Sequence, residues 1–280
     1  MRQPHSHRRA GPLGALGTRR AASSDDGYAS EGPTRPLRPI RPRRRVAVRI
    51  AKILLAILLV FAAAVGLLFA LTPSAGQATA LARAQAGERH IAYPGPPAPR
   101  YFAQALIATE DHRFNTDLGV DPLAMGRVVI WRIIGREDQG GSTIDQQLAK
   151  NLYTGGHSGF TEDLEQLALA VKLNQAYSRA EILRMYAEVA YYGHGYYGLD
   201  AASCGYFGRP PERLTLVQAA MLAGVVNAPS YDDPLAYPGQ ARARLVHVIG
   251  RMAAVGYLTQ VQETAALHAP LGLSATRGCA

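Results

Sequence analysis

The sequence predicts a mainly α-helical domain standing behind one N-terminal transmembrane helix. Three observations carry that expectation. An uncharged run of 19 residues, Ile53 to Leu71, is long and apolar enough to cross a bilayer. Downstream of residue 100, apolar residues recur at helical spacing and helix-start signatures follow one another. No sustained run alternates with period two, apart from short ambiguous pieces such as Val189 to Tyr192.

The 280 residues carry a formal net charge of +9, and its distribution decides what it means. Met1 to Lys52 holds 13 basic and 3 acidic residues interleaved with proline, which predicts a disordered tail over residues 1–52. Residues 53–280 hold 17 basic and 18 acidic groups, so the folded part lacks the basic surface a nucleic-acid binder needs. At 1.5 Å per residue the apolar run spans about 28 Å, one hydrocarbon core, and places a transmembrane helix at 53–72. Basic residues crowd its N-terminal side, which puts the N-terminus in the cytoplasm and the rest outside. A cleaved signal peptide is the competing reading, against which stand the long apolar run and the long basic leader. Residues 73–100, rich in Ala, Gly and Pro, read as a spacer. A domain follows over 101–265, then a small-residue tail over 266–280. Two cysteines, Cys204 and Cys279, exclude a disulfide-dense scaffold and a four-cysteine zinc site. Outside the membrane they are free to pair.

Within the domain, Tyr101 to Ala108 has helical spacing and Asp121-Pro122 opens another helix. Ser142 reads as the N-cap of a helix over Gln146 to Tyr153, and Thr161 precedes an acidic first turn. Ser178 with Glu181, and Thr215 with Gln218, have capping-box spacing.

Three stretches are polar in ways that packing alone does not require. Glu110 and Asp111 end an apolar helix, the place of a solvated, paired or catalytic acid. Gly140-Gly141-Ser142-Thr143 lets backbone approach a ligand and leads into a helix N-terminus that favours anions. On that helix Gln146 and Lys150 share one face, and Gln147 and Asn151 the neighbouring one; an ordinary amphipathic surface helix has the same pattern. Tyr191 to Gly198 interleaves aromatics and glycines, as a carbohydrate groove does and as a tight turn packed on the core does.

Together the segments ATEDHRF with GVDP and Arg127, GGSTIDQQLAKNLY, AYSRAEILRMY, YYGHGYYGLDAAS with GYFGR, and LTLVQAAMLAGVVNAPS resemble the peptidoglycan glycosyltransferases of glycosyltransferase family 51. That family comprises monofunctional biosynthetic transglycosylases and the transglycosylase module of penicillin-binding proteins. The resemblance implies a lysozyme-like fold in two lobes around a cleft. It implies lipid II and a nascent glycan strand as partners, with the membrane and other cell-wall synthases, in a bacterial plasma membrane. Glu110 matches the family's general base. Asp111, Phe114, Arg127, Gly141, Ser142, Thr143, Gln146, Gln147, Lys150 and Asn151 match its substrate-binding positions. Some members take Mg²⁺ on the substrate pyrophosphate; no other cofactor is implied. Gln166 stands at the family's second catalytic glutamate, Asp117 where a histidine is usual, and Glu162 and Asp163 where an Arg-Lys pair is usual. Two functions follow: an active but divergent glycan polymerase, or a catalytically weak protein that binds lipid II or partner synthases. A lytic transglycosylase of related fold fits less well, because GGSTIDQQLAKNLY belongs to the polymerases.

Overall fold

The computed structural model describes residues 43–123, 141–274 and 279. The chain divides into two units, residues 1–55 and 56–280. Helix α1 (Arg43–Leu71) contains the whole apolar run, and its Leu, Ile, Val and Phe side chains are mostly exposed, as suits a helix solvated by lipid. It begins at Arg43, so the tail expected to be disordered as far as residue 52 is helical over Arg43–Lys52. Extending an existing helix costs far less than nucleating one, and Arg and Lys are good helix formers. The expectation for residues 1–42 lies outside the described residues.

The spacer reading of residues 73–100 also gives way. Ser74 caps a short 3-10 turn, Ala75–Gln77, and α2 (Ala78–Glu88) follows. Ala78, Ala82 and Ala86 recur every four residues and are buried in the main core. Their small side chains let this helix pack closely, so the composition that resembled a linker is a contact face.

Eight further helices make up the described domain: α3 (Arg100–Glu110), α4 (Ile144–Tyr153), α5 (Phe160–Ala176), α6 (Arg179–Val189), α7 (Leu199–Phe207), α8 (Leu216–Val225), α9 (Pro238–Ala254) and α10 (Gln260–His268). Among the described residues there is no strand, only an isolated bridge between Tyr191 and Tyr197. The mainly α expectation therefore holds. The helices form two groups: α3, α8 and α9 pack on one another with α7 and α10 at the periphery, and α4 packs on α5, α6 and α2. Central α8 is apolar all round, and every residue from Val217 to Val225 is buried.

The predicted capping boxes at Ser178 with Glu181 and at Thr215 with Gln218 form in full. For α4 the cap is Thr143 rather than Ser142, with Gln146 closing the box. Thr143 wins because its hydroxyl also donates to Gly119 O at 2.6 Å, tying the helix start to the loop after α3. Helix α5 starts at Phe160, ahead of the expected Thr161. At the junction with α1, Lys172 of α5 donates to Phe69 O (2.8 Å), Thr72 O (2.9 Å), Thr72 Oγ1 (2.7 Å) and Pro73 O (3.1 Å). It thereby satisfies carbonyls that a helix C-terminus leaves without partners.

The two cysteines are joined, Cys204 of α7 to Cys279, across 75 residues of sequence. Ser274 N donates to Tyr206 O at 2.8 Å and Gln218 Nε2 to Leu271 O at 3.1 Å. The segment expected as a plain tail is thus clamped to α7 and α8. Closing a loop of that length removes roughly 4 kcal/mol of chain entropy from the unfolded state.

Candidate active site

Glu110 is the last residue of α3, where the helix dipole disfavours an anion. Three donors from three other segments offset that. Arg244 Nη2 of α9 reaches Glu110 Oε1 at 2.7 Å, Gln147 Nε2 of α4 reaches Oε2 at 3.1 Å, and Asn227 Nδ2 reaches Oε2 at 3.3 Å. The Glu110 side chain is only 5% exposed. Two of the donors, Gln147 and Arg244, are themselves held. Tyr186, buried in α6, donates its hydroxyl to Gln147 Oε1 at 2.7 Å, which fixes the amide so that its NH₂ faces the carboxylate. Burial, with Glu110 nearby, pushes the Tyr186 hydroxyl well above 10, so it remains a donor. Arg244 Nε donates to Gly224 O at 3.1 Å, at the end of α8.

The carboxylate lines one of two chambers that share walls. The first, about 500 Å³, is lined by Thr109, Glu110, Ser142, Gln147, Asn227, Arg244 and His247. Partial burial and the neighbouring Arg244 and Arg251 cations lower His247 below 6.5, so its imidazole is neutral at pH 7. The second chamber, about 310 Å³, shares Ser142, Gln147 and Asn227 and adds Lys150, Asn151, Tyr186, Tyr191 and Pro229 among its walls. Among the described residues no carboxylate pairs with Lys150, which leaves its charge for an incoming anion.

The structure thus brings Glu110, Ser142, Gln147, Lys150 and Asn151 together. Other residues expected in the substrate site stand elsewhere. Gln146 is turned inward, its Oε1 accepting from Thr143 N at 2.7 Å, and Thr143 is buried beside it. Phe114 is fully buried, with the Arg179 guanidinium 4.8 Å from its ring centre. Gly141 is half-buried before the helix cap. Gln166 is buried in α5, donating to Thr154 Oγ1 and His157 O, both at 3.0 Å, and it lines neither chamber. Arg127 lies outside the described residues.

The helix N-terminus expected to face an anion is largely spent on internal bonds. Ile144 N donates to Asp111 Oδ2 at 3.2 Å and Gln146 N to Thr143 Oγ1 at 3.2 Å. Sequence reasoning missed Arg244, Asn227 and His247 as site residues, and missed an acidic cluster below the cleft. Carboxylate oxygens of Asp111, Asp117 and Asp145 lie within 4.8 Å of one another. Arg179 is their nearby cation, 3.3 Å from Asp117 and 3.4 Å from Asp145. Burial, then the neighbouring Asp117 charge, pushes Asp111 up to about 7; burial pushes Asp145 up to about 6 and raises Asp117. Asp117 Oδ2 is buried without a donor. None of the three aspartates lines a chamber, and among the described residues the only carboxylate there, Glu110, is already ion-paired. Among the described residues the walls therefore offer Mg²⁺ no ligand set of their own.

This arrangement, a buried carboxylate lining one chamber beside a second that carries a lysine, can take a proton from a hydroxyl and stabilise a departing anion. A Transglycosylase family profile matches residues 77–253. A protein of Cupriavidus necator that bears a transglycosylase name is 36% identical over 175 residues, covering 62% of this chain and 76% of its own. Penicillin-binding protein 1F of Bacillus subtilis is 36% identical over 176 residues, 62% of this chain. Penicillin-binding protein 1A of Escherichia coli is 38% identical over 165 residues, 59% of this chain. The chain spans about 25% of the first and 19% of the second of these penicillin-binding proteins. A solved penicillin-binding protein 1A from Haemophilus influenzae aligns over 47% of this chain and 16% of its own, at 28% identity and a TM-score of 0.33. With the family match spanning more than half its length, this chain belongs to the peptidoglycan transglycosylase family.

Proposed function

We propose that this protein is a membrane-anchored glycosyltransferase that polymerises lipid II, with Glu110 as general base and undecaprenyl pyrophosphate as leaving group. The observation that carries the reading is Glu110 itself, lining the first chamber and held by Gln147, Asn227 and Arg244, two of which also wall the second. The acceptor's 4-hydroxyl displaces a weaker amide donor and gives its proton to a Glu110 oxygen as its oxygen attacks the anomeric carbon of the growing chain. The bond from that carbon to the pyrophosphate oxygen breaks, inverting the centre, and the electron pair leaves with the diphosphate. Lys150 faces the chamber where that charge develops, and such preorganised donors gain strength where water is excluded. Arg244 keeps the carboxylate oriented, and Glu110 returns its proton to solvent once the product shifts. The Cys204–Cys279 disulfide supports an extracytoplasmic domain, since such bonds persist in oxidising compartments. With the domain outside, the basic N-terminal side of α1 lies in the cytoplasm, as the positive-inside rule requires.

The test is polymerisation of labelled lipid II by the purified full chain. Loss of a general base costs about 10²–10⁴ in rate, so Glu110→Gln is expected to leave almost no polymer. Wild-type protein that binds lipid II tightly and makes no polymer would instead establish the weak binder of the same fold. Polymer made equally well by Glu110→Gln would remove Glu110 from the chemistry.

A further inference from the structure

The loop from Asn227 to Tyr237 leaves the cleft and ends at the start of α9. Its first residues, Asn227 and Pro229, line the second chamber. Its backbone is held closely: Tyr231 N and Asp232 N both donate to Ala228 O at 2.8 Å, and Tyr237 N donates to Asp233 O at 2.7 Å. Asp233, 5% exposed, accepts from Leu235 N at 2.9 Å and pairs with His194 Nδ1 at 3.2 Å. The neighbouring glycine-rich turn packs so tightly on this loop that a Cβ on Gly193 would lie 2.4 Å from Pro229 O. On this fixed frame two tyrosines face solvent, Tyr231 at 62% and Tyr237 at 50% exposure. Their rings are stacked, with centroids 6.5 Å apart and planes 27° apart.

Both rings stand on a rigid loop with their faces open, so a ligand can cover them with little ordering cost. From this geometry we infer that Tyr231 and Tyr237 form a stacking platform for N-acetylhexosamine rings of the glycan strand as it passes along the cleft rim. Tyr231 follows within two residues of Pro229, which walls the second chamber with Asn227, and the chain's family is the transglycosylases. A tyrosine ring offers an apolar face to the C–H side of a sugar and a hydroxyl to its rim, and it is uncharged, as the strand's sugar backbone is. The same logic separates the aromatics of the Tyr191–Gly198 turn: Tyr192 is buried core, whereas Tyr191 lines the chamber. The inference rests on the proposed function for the identity of the strand, and its test is built to fail separately.

The full chain carrying Glu110→Gln, in detergent micelles, is titrated with soluble uncrosslinked peptidoglycan glycan strands. Tyr231→Ser with Tyr237→Ser is expected to weaken binding about tenfold, and Tyr231→Phe with Tyr237→Phe to restore it, since the ring rather than the hydroxyl does the stacking. Strands should also protect both tyrosines from hydroxyl-radical footprinting. Unchanged binding by the serine variant overturns the platform, as does protection on insertion into phospholipid nanodiscs without strands, which would make the pair a membrane contact. If wild-type protein makes no polymer while the serine variant still loses strand binding, the platform stands and the catalytic reading falls.

Discussion

Replacing Asp117 by asparagine should change how stability depends on pH. Asp111, Asp117 and Asp145 converge below the cleft with Arg179 as their nearby cation. Asp111 rises from 3.8 to about 7, chiefly through burial and then through the charge of Asp117. A carboxyl group whose value is raised on folding binds protons more tightly in the folded chain than in the unfolded one. Its contribution is therefore complete below about pH 4 and is lost as pH climbs to about 7. At about 1.4 kcal/mol per pH unit, the Asp111 rise is worth about 4 kcal/mol between those limits. Asparagine removes the neighbouring charge and offers an N–H to the Asp111 carboxylate, while Arg179 keeps Asp145 as a partner. Burial, the larger cause, stays, so Asp117→Asn gains less than half of that, about 1 kcal/mol at pH 8, or about 2–4 °C in Tm for a domain of this size. The gain should shrink towards pH 5. Thermal unfolding of the detergent-solubilised chain, followed by far-UV circular dichroism from pH 5 to 8, measures both slopes. Parallel curves for variant and wild type would refute the coupling.

Two further outcomes follow from the site. Arg244→Ala removes the counter-ion of a buried carboxylate and a donor to Gly224 O, so kcat/KM for lipid II should fall about 10²–10³-fold, with partial recovery in Arg244→Lys. An undiminished value in the alanine variant would detach Arg244 from the reaction. Gln166→Glu places an acceptor against the His157 carbonyl, where an amide now donates; it should cost about 1–3 kcal/mol in chemical denaturation and give no faster polymerisation, and a rate gain without loss of stability would contradict that reading.

Helix content was plain in the sequence where one residue's side chain decides a boundary, as at Ser178 and Thr215. It was obscure at α2, because alanine fills a core without announcing a hydrophobic stripe. The wall of α4 was half legible. Helical spacing placed Gln147, Lys150 and Asn151 together, but it gave Gln146 an equal claim, and only the shift of the cap to Thr143 turns that amide inward. Arg244 was beyond reach by periodicity. It sits 134 residues from Glu110 and meets it only because α9 crosses both α3 and α8. The aspartate cluster has the same character: Asp111, Asp117 and Asp145 are unremarkable singly, and their energetics arise from three segments converging on one guanidinium.

The bonds from Lys172 to the end of α1 make a stiff joint where a flexible tether would ordinarily stand. A flexible tether lets the chain leave a helix in many directions, each residue of it costing conformational entropy when the direction is later fixed. Here the ammonium of Lys172 gathers three carbonyls and a hydroxyl from residues 69–73, so the chain leaves the end of α1 by one route. One side chain from a distant helix does there what a capping residue does locally.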